Sequence, residues 1–214
     1  LGDFPKESDD TLIALRYVEA AIRIETIEGD DWQIGVDIAR FGSDRTAFVV
    51  RHGNEVVKMD WFAKEDTMQS VGRAMNYLRE FPKAKMNIDE IGVGAGVVDR
   101  LKENSEFSDR ILGVNSAEKA FEQEGEMKFV NKRAEMYMRL REKFINNDVK
   151  LIEKGTIISD LTNIKYKFRS SNGACQIESK DEIKKRGLRS PDLADATALA
   201  FYVIPDLEPD IKFL

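Results

Sequence analysis

Two hydrophobic periods alternate along the chain, and their order predicts a fold. Leu15, Val18, Ala21 and Ile22 recur at helical spacing after an opening that holds Pro5 and the acidic cluster Glu7, Asp9 and Asp10. Residues 1–30 therefore read as a lead-in segment rather than core, with the main domain spanning 31–214. From Trp32 the period shortens to two. Segments 33–37 and 46–51 read as strands, His52-Gly53-Asn54 as a turn, and 55–62 as a third strand. Three strands on short connections predict an antiparallel meander. Helical spacing returns over 66–81, with Met68, Val71, Met75 and Leu78 on one stripe, and Pro82 stops it. A fourth strand at 85–89, a helix at 95–104, a fifth strand at 110–114 and a long helix at 131–146 follow. Segments 165–169 and 174–178 flank Ser170-Ser171-Asn172-Gly173, a hairpin signal, and a last helix opens at Ser190-Pro191. The pattern predicts an α/β fold. Three antiparallel and then parallel strands form one mixed sheet, with helices on both faces and a C-terminal β-hairpin.

Composition narrows the chemistry. With 42% apolar and 34% charged residues, the 214-residue chain can bury one substantial core. The lone Cys175 excludes a disulfide framework. His52 is the only histidine, which excludes His-based triads and His-rich zinc sites, and no G-x-x-x-x-G-K-[ST] segment supplies a P-loop. Acidic residues outnumber basic ones, 39 to 33, which speaks against a general nucleic-acid coat but leaves room for a local basic groove. No apolar run approaches the ~20 residues that cross a bilayer, and no basic-then-apolar leader opens the sequence. The expectation is a soluble, intracellular chain without a membrane partner. Leu1 in first position suggests a fragment or a processed chain.

Aspartates stand where apolar elements end. Asp37 closes Ile34-Gly35-Val36, Asp89 closes Met86-Asn87-Ile88, and Asp195 lies within Ser190-Pro191-Asp192-Leu193-Ala194-Asp195-Ala196. Any one alone reads as a turn residue. In the last cluster Ser190 suits a helix cap, Pro191 a first helical position and Asp192 the positive helix end. Asp195 falls on the side of Ala196, Leu199, Ala200 and Val203, the face expected to pack on the sheet. A carboxylate there needs a positive partner, and a cation shared with other carboxylates provides one. Asp192 and Asp195, three apart on a helix, can point to the same place. Carboxylates without histidine or thiolate select Mg²⁺ or Mn²⁺ over zinc. Two such ions serve in-line displacement at a phosphodiester.

The segment Ile34-Gly35-Val36-Asp37-Ile38-Ala39-Arg40-Phe41-Gly42-Ser43-Asp44-Arg45-Thr46-Ala47 resembles the first motif of the nuclease domain of tailed-phage large terminase subunits. Asp89-Glu90-Ile91-Gly92-Val93-Gly94-Ala95-Gly96-Val97-Val98-Asp99-Arg100-Leu101 is similar to the second. Asn131-Lys132-Arg133-Ala134-Glu135-Met136-Tyr137, Glu178-Ser179-Lys180-Asp181-Glu182-Ile183-Lys184 and the 190–196 segment resemble later motifs, and Gly2-Asp3-Phe4-Pro5 resembles the connector after the motor domain. The resemblance implies an RNase H-like fold and a metal-dependent endonuclease that cuts concatemeric viral DNA during packaging, leaving 5′-phosphate and 3′-hydroxyl ends. It also implies Asp37, Asp89 and Asp195 as ligands of two Mg²⁺ or Mn²⁺ ions, with Asp192 assisting at a position that varies in such folds. The implied partners are double-stranded DNA, an N-terminal ATPase domain of the full-length protein, the portal and the small terminase subunit, in the host-cell cytoplasm.

Other signals take their place around this reading. Gly92, Gly94 and Gly96 do not complete G-x-G-x-x-G, because position 97 is Val, and they are expected to allow close backbone approach beside the metals. Asp44 reads as a turn residue, with a metal role, or support of the metal ligands from behind, as the alternative. Glu90, adjoining Asp89 on a strand, faces the other way and is not counted as a ligand. Lys180, Lys184, Lys185, Arg186 and Arg189 are expected to contact phosphates, with Lys128, Lys132 and Arg133 as further candidates. Met68, Met75, Met136 and Met138 are expected to fill the core, and Cys175 to play no nucleophilic role. Asp37→Asn or Asp195→Asn is expected to abolish cutting with the melting temperature equal or higher, since the carboxylates repel one another without metal. Competing readings are a Holliday-junction resolvase-like nuclease of the same fold and a non-catalytic docking module of the packaging machine. A two-lobed nucleotide hydrolase would need a longer chain.

Overall fold

The computed structural model describes residues 10–25, 29–39, 44–120, 127–153 and 155–203. The Gly2-Asp3-Phe4-Pro5 connector and the 40–43 part of the first motif lie outside the described residues. In chain order the elements are α1 (Leu15–Arg23), β1 (Trp32–Asp37), β2 (Arg45–His52), β3 (Glu55–Ala63), α2 (Thr67–Glu80), β4 (Lys85–Asp89), α3 (Val93–Lys102), β5 (Ile111–Val114), α4 (Lys132–Ile145), α5 (Gly155–Thr162), β6 (Tyr166–Phe168), β7 (Cys175–Ile177), α6 (Lys180–Lys185) and α7 (Asp192–Phe201). The main sheet runs β3-β2-β1-β4-β5, and β6 with β7 forms the separate hairpin. β1, β2 and β3 pair antiparallel, whereas β4 joins β1, and β5 joins β4, in parallel. The α/β class, the mixed sheet and the hairpin are as the sequence pattern predicts.

Strand alternation divides the core. Ile34, Val36, Phe48, Val50, Met86 and Ile88 point to one face and pack with Val71, Leu78, Val97 and Leu101 of α2 and α3. Ala47, Val49 and Met59 point to the other and pack with side chains of α1, α4, α5 and α7. Gly35, Asp37, Asn87 and Asp89 alternate onto this second face. The parallel register Val36↔Ile88 places Asp37 and Asp89 next to each other at the carboxyl ends of β1 and β4, where open α/β sheets form their sites.

All ten residues of α7 are buried. The helix lies directly on β1 because Gly35 has no side chain: a Cβ there would overlap the carbonyl oxygen of Ala196 and the backbone nitrogen of Ala200. Asn87 Nδ2 donates to the carbonyl oxygens of Leu199 and Tyr202 (2.8 and 2.9 Å), and Arg51 Nε donates to that of Ala200 (2.5 Å). These bonds satisfy carbonyls that a helix C-terminus leaves open. At the other end the cap position is Pro191, with no side-chain bond of its own. Asp160 of α5 takes over that task, its Oδ2 accepting the Leu193 N–H at 3.2 Å while its Oδ1 accepts from Arg189. The expected Ser190 cap is thus corrected. Burial pushes the Asp160 carboxyl up to about 6.

Several other expectations change. The described part of the lead-in belongs to the core: Leu12, Ile13, Val18 and Ala21 are buried in it, and the Leu12 N–H donates to the Ile164 carbonyl oxygen. Helix α5 escaped the sequence reading because eight residues give periodicity too little length to register. Met68 is 59% exposed rather than core, whereas Met136 and Met138 are buried and Met75 packs on the α2–α3 side. Val203 lies beyond the end of α7 and is 69% exposed, so it does not extend the buried face. Of the three glycines before and in α3, only Gly94 makes the close approach, against the Asp89 carbonyl; Gly92 takes φ 64, and Gly96 faces open space. Cys175 is buried and its thiol is pushed up to about 11, so little thiolate exists at neutral pH. No helix among the described residues is long and apolar enough to cross a membrane.

The Gly35 contact gives a direct test of how α7 is seated. Gly35→Ala sets a methyl group against backbone atoms, and is expected to cost about 3 kcal/mol or more in urea unfolding. A loss within about 0.5 kcal/mol would show that α7 can lift from β1 without penalty.

Candidate active site

Two of the four aspartates singled out in the sequence, Asp37 and Asp89, line a cleft of about 260 Å³ together with Ser116, Arg133 and Lys180, and Asp192 and Asp195 lie buried behind Lys180. Asp37, Asp192 and Asp195 are 4%, 2% and 7% exposed. Among them stands Lys180, the first residue of α6, whose Nζ lies 2.8 Å from Asp37 Oδ2, 3.2 Å from Asp195 Oδ2 and 4.0 Å from Asp192 Oδ1. The ammonium is the positive partner that the buried carboxylates require. Helix α6 brings it there through a capping box: the Ser179 side chain accepts the Glu182 N–H, and the Glu182 carboxylate accepts the Ser179 N–H.

Each carboxylate has a distinct environment. Asp195 Oδ1 accepts from Arg133 Nε and Nη2 (3.2 and 3.1 Å) and from Tyr137 Oη (2.7 Å). Asp192 Oδ2 accepts the Arg45 N–H at 3.0 Å. The remaining oxygens, Asp192 Oδ1 and Asp195 Oδ2, are buried and accept no hydrogen bond, their charged neighbour being the Lys180 ammonium. Asp89 turns its oxygens to the Ile91 N–H (3.2 Å) and to the Ser116 hydroxyl (3.1 Å). In this arrangement no three Asp, Glu, His or Cys side chains among the described residues gather closely enough to hold a metal ion together.

The titration behaviour follows these surroundings. Burial, reinforced by the charges of Asp195 and Asp192, pushes Asp37 up to about 7 against the pull of Lys180. Burial likewise raises Asp89 and Asp192. For Asp195 burial also opposes the charge, but Arg133 and then Lys180 outweigh it and hold the carboxyl below its ordinary range. Lys180 is raised: burial disfavours its charge, and Asp37 and Asp195 more than compensate.

The fold can now be compared with known proteins. No family profile and no curated protein matches the chain. Among solved structures, the nuclease domain of the large terminase subunit gp2 of bacterial virus Sf6 superposes with a TM-score of 0.81 at 22% identity, over 91% of this chain and 99% of that one. The chain has the fold of a large terminase nuclease domain. A mutant of the Sf6 domain with manganese and beta-thujaplicinol gives 0.81 at 21% identity, over 91% of this chain and 99% of that one. The large terminase nuclease from thermophilic phage G20c gives 0.65 at 15% identity, over 90% of this chain and 97% of that one.

Within this terminase nuclease fold the basic candidates divide. Lys180 is part of the acidic centre, and so is Arg133, whose Nη1 also donates to the Glu178 carbonyl oxygen at 2.7 Å. Arg186 forks onto the Glu178 carboxylate, with both contacts at 2.7 Å, and Arg189 pairs with Asp160 at 3.1 Å. These two arginines secure the segment between α6 and α7. Lys184 pairs with Asp44 at 2.7 Å, which ties α6 to the start of β2, and Lys132 pairs with Glu118 at 2.7 Å. Lys128 and Lys185 are exposed. Glu90 turns to Gly113, where a Cβ would overlap its carboxylate, away from the face that carries Asp89.

The sequence reading missed Ser116, Tyr137, Asp160 and the backbone of Arg45. Tyr137 had a signal: four residues after Arg133 on one helix, it shares that residue's face. Ser116, Asp160 and Arg45 reach their aspartates only through tertiary packing.

The unequal environments separate two substitutions that sequence treats alike. Between about pH 4 and pH 7 the folded chain keeps a proton on Asp37 that the unfolded chain has released, so this stabilisation is lost as pH rises through that window. Metal-free Asp37→Asn is expected to melt above the parent at pH 8, by on the order of 5 °C, with the gap closing at pH 5. Asp195→Asn deprives buried Arg133 of its counter-charge and is expected to melt lower at both pH values, by on the order of 10 °C. Calorimetric melting at the two pH values checks both signs.

Proposed function

We propose that this chain is a Mg²⁺- or Mn²⁺-dependent DNA endonuclease domain that cuts viral DNA during packaging. The observation that carries this reading is the buried cluster of Asp37, Asp192 and Asp195 around one ammonium, beside the cleft that Asp37 and Asp89 line; within it Asp192 Oδ1 and Asp195 Oδ2 accept no hydrogen bond and have the Lys180 charge as their neighbour. An all-oxygen donor set suits a hard divalent cation. Similar folds were solved with manganese (the Sf6 domain) and with magnesium (the G20c nuclease), which supports the same choice.

Asp37, Asp89 and Asp195 would hold the cations, and Asp192 would assist through Oδ1, which accepts no hydrogen bond. Bound there, divalent cations supply an activated water and neutralise charge on the leaving oxygen of a phosphodiester. The chain's own residues do the rest. Lys180 Nζ stands among the carboxylates, where it balances their charge and would yield its place to a cation held by Asp37 and Asp195. Ser116 and the Ile91 N–H orient Asp89, and the Arg45 N–H orients Asp192. Exposed Lys185, next to Lys184 on α6, would attract the DNA backbone. Contacts of this kind recognise phosphate rather than sequence. The reading extends to an N-terminal ATPase domain, the portal and the small subunit as partners, and to the host-cell cytoplasm as the place of action.

Linear duplex incubated with the chain and Mn²⁺ is expected to be cut, and chelation is expected to stop cutting. Asp37→Asn and Asp89→Asn remove several kcal/mol of transition-state stabilisation, a loss of about 10²- to 10³-fold or more in rate. Undiminished cutting by either variant, or cutting that survives chelation, would sink the reading. Preference for four-way junctions over linear duplex would instead identify a resolvase, and inactivity on both DNAs without Mn²⁺ binding would leave a docking module.

A further inference from the structure

We propose that Arg133 and Tyr137 are positioning residues that lock the Asp195 carboxylate, so that Oδ1 belongs to the protein and Oδ2 alone is presented to the metal. Three donors converge on Oδ1: Arg133 Nε, Arg133 Nη2 and Tyr137 Oη. Oδ2 accepts none. Such an unequal division within one carboxylate fixes its torsion, because any rotation about the Cβ–Cγ bond breaks bonds to Oδ1 before it makes any to Oδ2.

The donors are themselves held. Asn131 caps α4 by accepting the Ala134 N–H at 3.0 Å, which sets the start of the helix. Arg133 and Tyr137 follow four apart on one face. The ring of Tyr137 is fully buried, with the guanidinium of Arg133 4.9 Å from its centroid. Arg133 Nη1 is anchored to the Glu178 carbonyl oxygen, next to the segment that begins α6. The pair therefore links the helix that carries Asp195 to the one that carries Lys180. Arg133 has all three of its guanidinium nitrogens engaged inside the protein, and its side chain is 15% exposed. A phosphate could recruit it only by breaking these bonds. This is the physical case against the DNA-contact role that its position in the sequence suggested.

The inference rests on the metal-dependent reading above, and the test separates the two. Mn²⁺ is titrated calorimetrically into the full chain, into Tyr137→Phe and into Arg133→Gln. Affinity for a DNA duplex is measured in parallel without metal, over a series of salt concentrations. Partners of metal ligands commonly set 10- to 100-fold of metal affinity. Tyr137→Phe, which leaves the ring and the packing in place, is expected to weaken Mn²⁺ binding about tenfold, and Arg133→Gln by more. Metal-free DNA affinity is expected to stay the same in both. A purely structural role would lower the melting temperature without dividing metal affinity from DNA affinity. Should Arg133→Gln fail to fold, Tyr137→Phe decides alone. Parent-like Mn²⁺ affinity in Tyr137→Phe overturns the inference. So does an Arg133→Gln chain that binds Mn²⁺ normally but loses DNA affinity, with a salt slope reduced by about one, the mark of a lost phosphate contact. Absence of saturable Mn²⁺ binding in the parent overturns the metal reading and this inference with it.

Discussion

Carboxylates cannot share a buried space without cations, and this chain places Asp37, Asp192 and Asp195 around a single ammonium. An ionised carboxylate taken from water into protein costs several kcal/mol even after relaxation. The structure answers in two ways. Asp195 receives a guanidinium, a phenol and a share of Lys180, and remains charged; Asp37 receives mainly Lys180 and is pushed toward the neutral form. The charge is therefore balanced unevenly, and the imbalance marks Asp37 as the member that gains most from additional positive charge. A centre of this kind is stable enough to fold alone, yet still favours an incoming cation.

Such a centre requires a rigid frame, and α7 supplies it by being held at every point. Gly35 lets it rest on β1, Asn87 and Arg51 bind its last carbonyls, and Asp160 closes its first turn. Each contact reaches α7 from a different element. Their combined effect is that Asp192 and Asp195 cannot drift relative to Asp37 and Asp89, whose positions follow from adjacent parallel strands. Polar residues within the core thereby do two jobs: they satisfy backbone groups, and they set the separation of the acidic side chains. The apolar packing on both faces of the sheet gives no such precision by itself, since volume alone tolerates repacking.

The sheet was legible because strand period and turn residues depend on near neighbours. Period alone delimits the strand 85–89 to the residue, and Asp37, Asp89, Asp192 and Asp195 stand out because acidic side chains next to apolar runs conflict with burial. What sequence did not disclose is partnership at long range. Lys180 and Arg186 look alike in a basic run, yet one sits among aspartates and the other locks onto Glu178. Ser190 has the chemistry of a helix cap, but Asp160, some thirty positions earlier in the chain, performs that task. Helix α1 reads as a connector because its apolar stripe is short, and only packing against the neighbouring helices makes it core. Local pattern specifies elements; it leaves open which of several equivalent charges finds which partner.

That distinction bears on how the basic segment should be understood. A run of five cations before α7 suggests one surface with one task, yet geometry assigns three. Lys180 neutralises the acidic centre, Arg186 and Arg189 immobilise the approach to α7, and Lys184 ties α6 to Asp44. Only Lys185 is left as an exposed member of the run with no bond of its own to a neighbouring side chain among the described contacts. The reach of such a run toward an anion therefore depends less on the number of cations than on how firmly their counter-ions hold them. Because Lys180 is neutralised by the very carboxylates that suit a divalent ion, filling the centre would release one positive charge toward the cleft mouth. Metal loading and backbone attraction would then be coupled through a single side chain rather than through a change of fold.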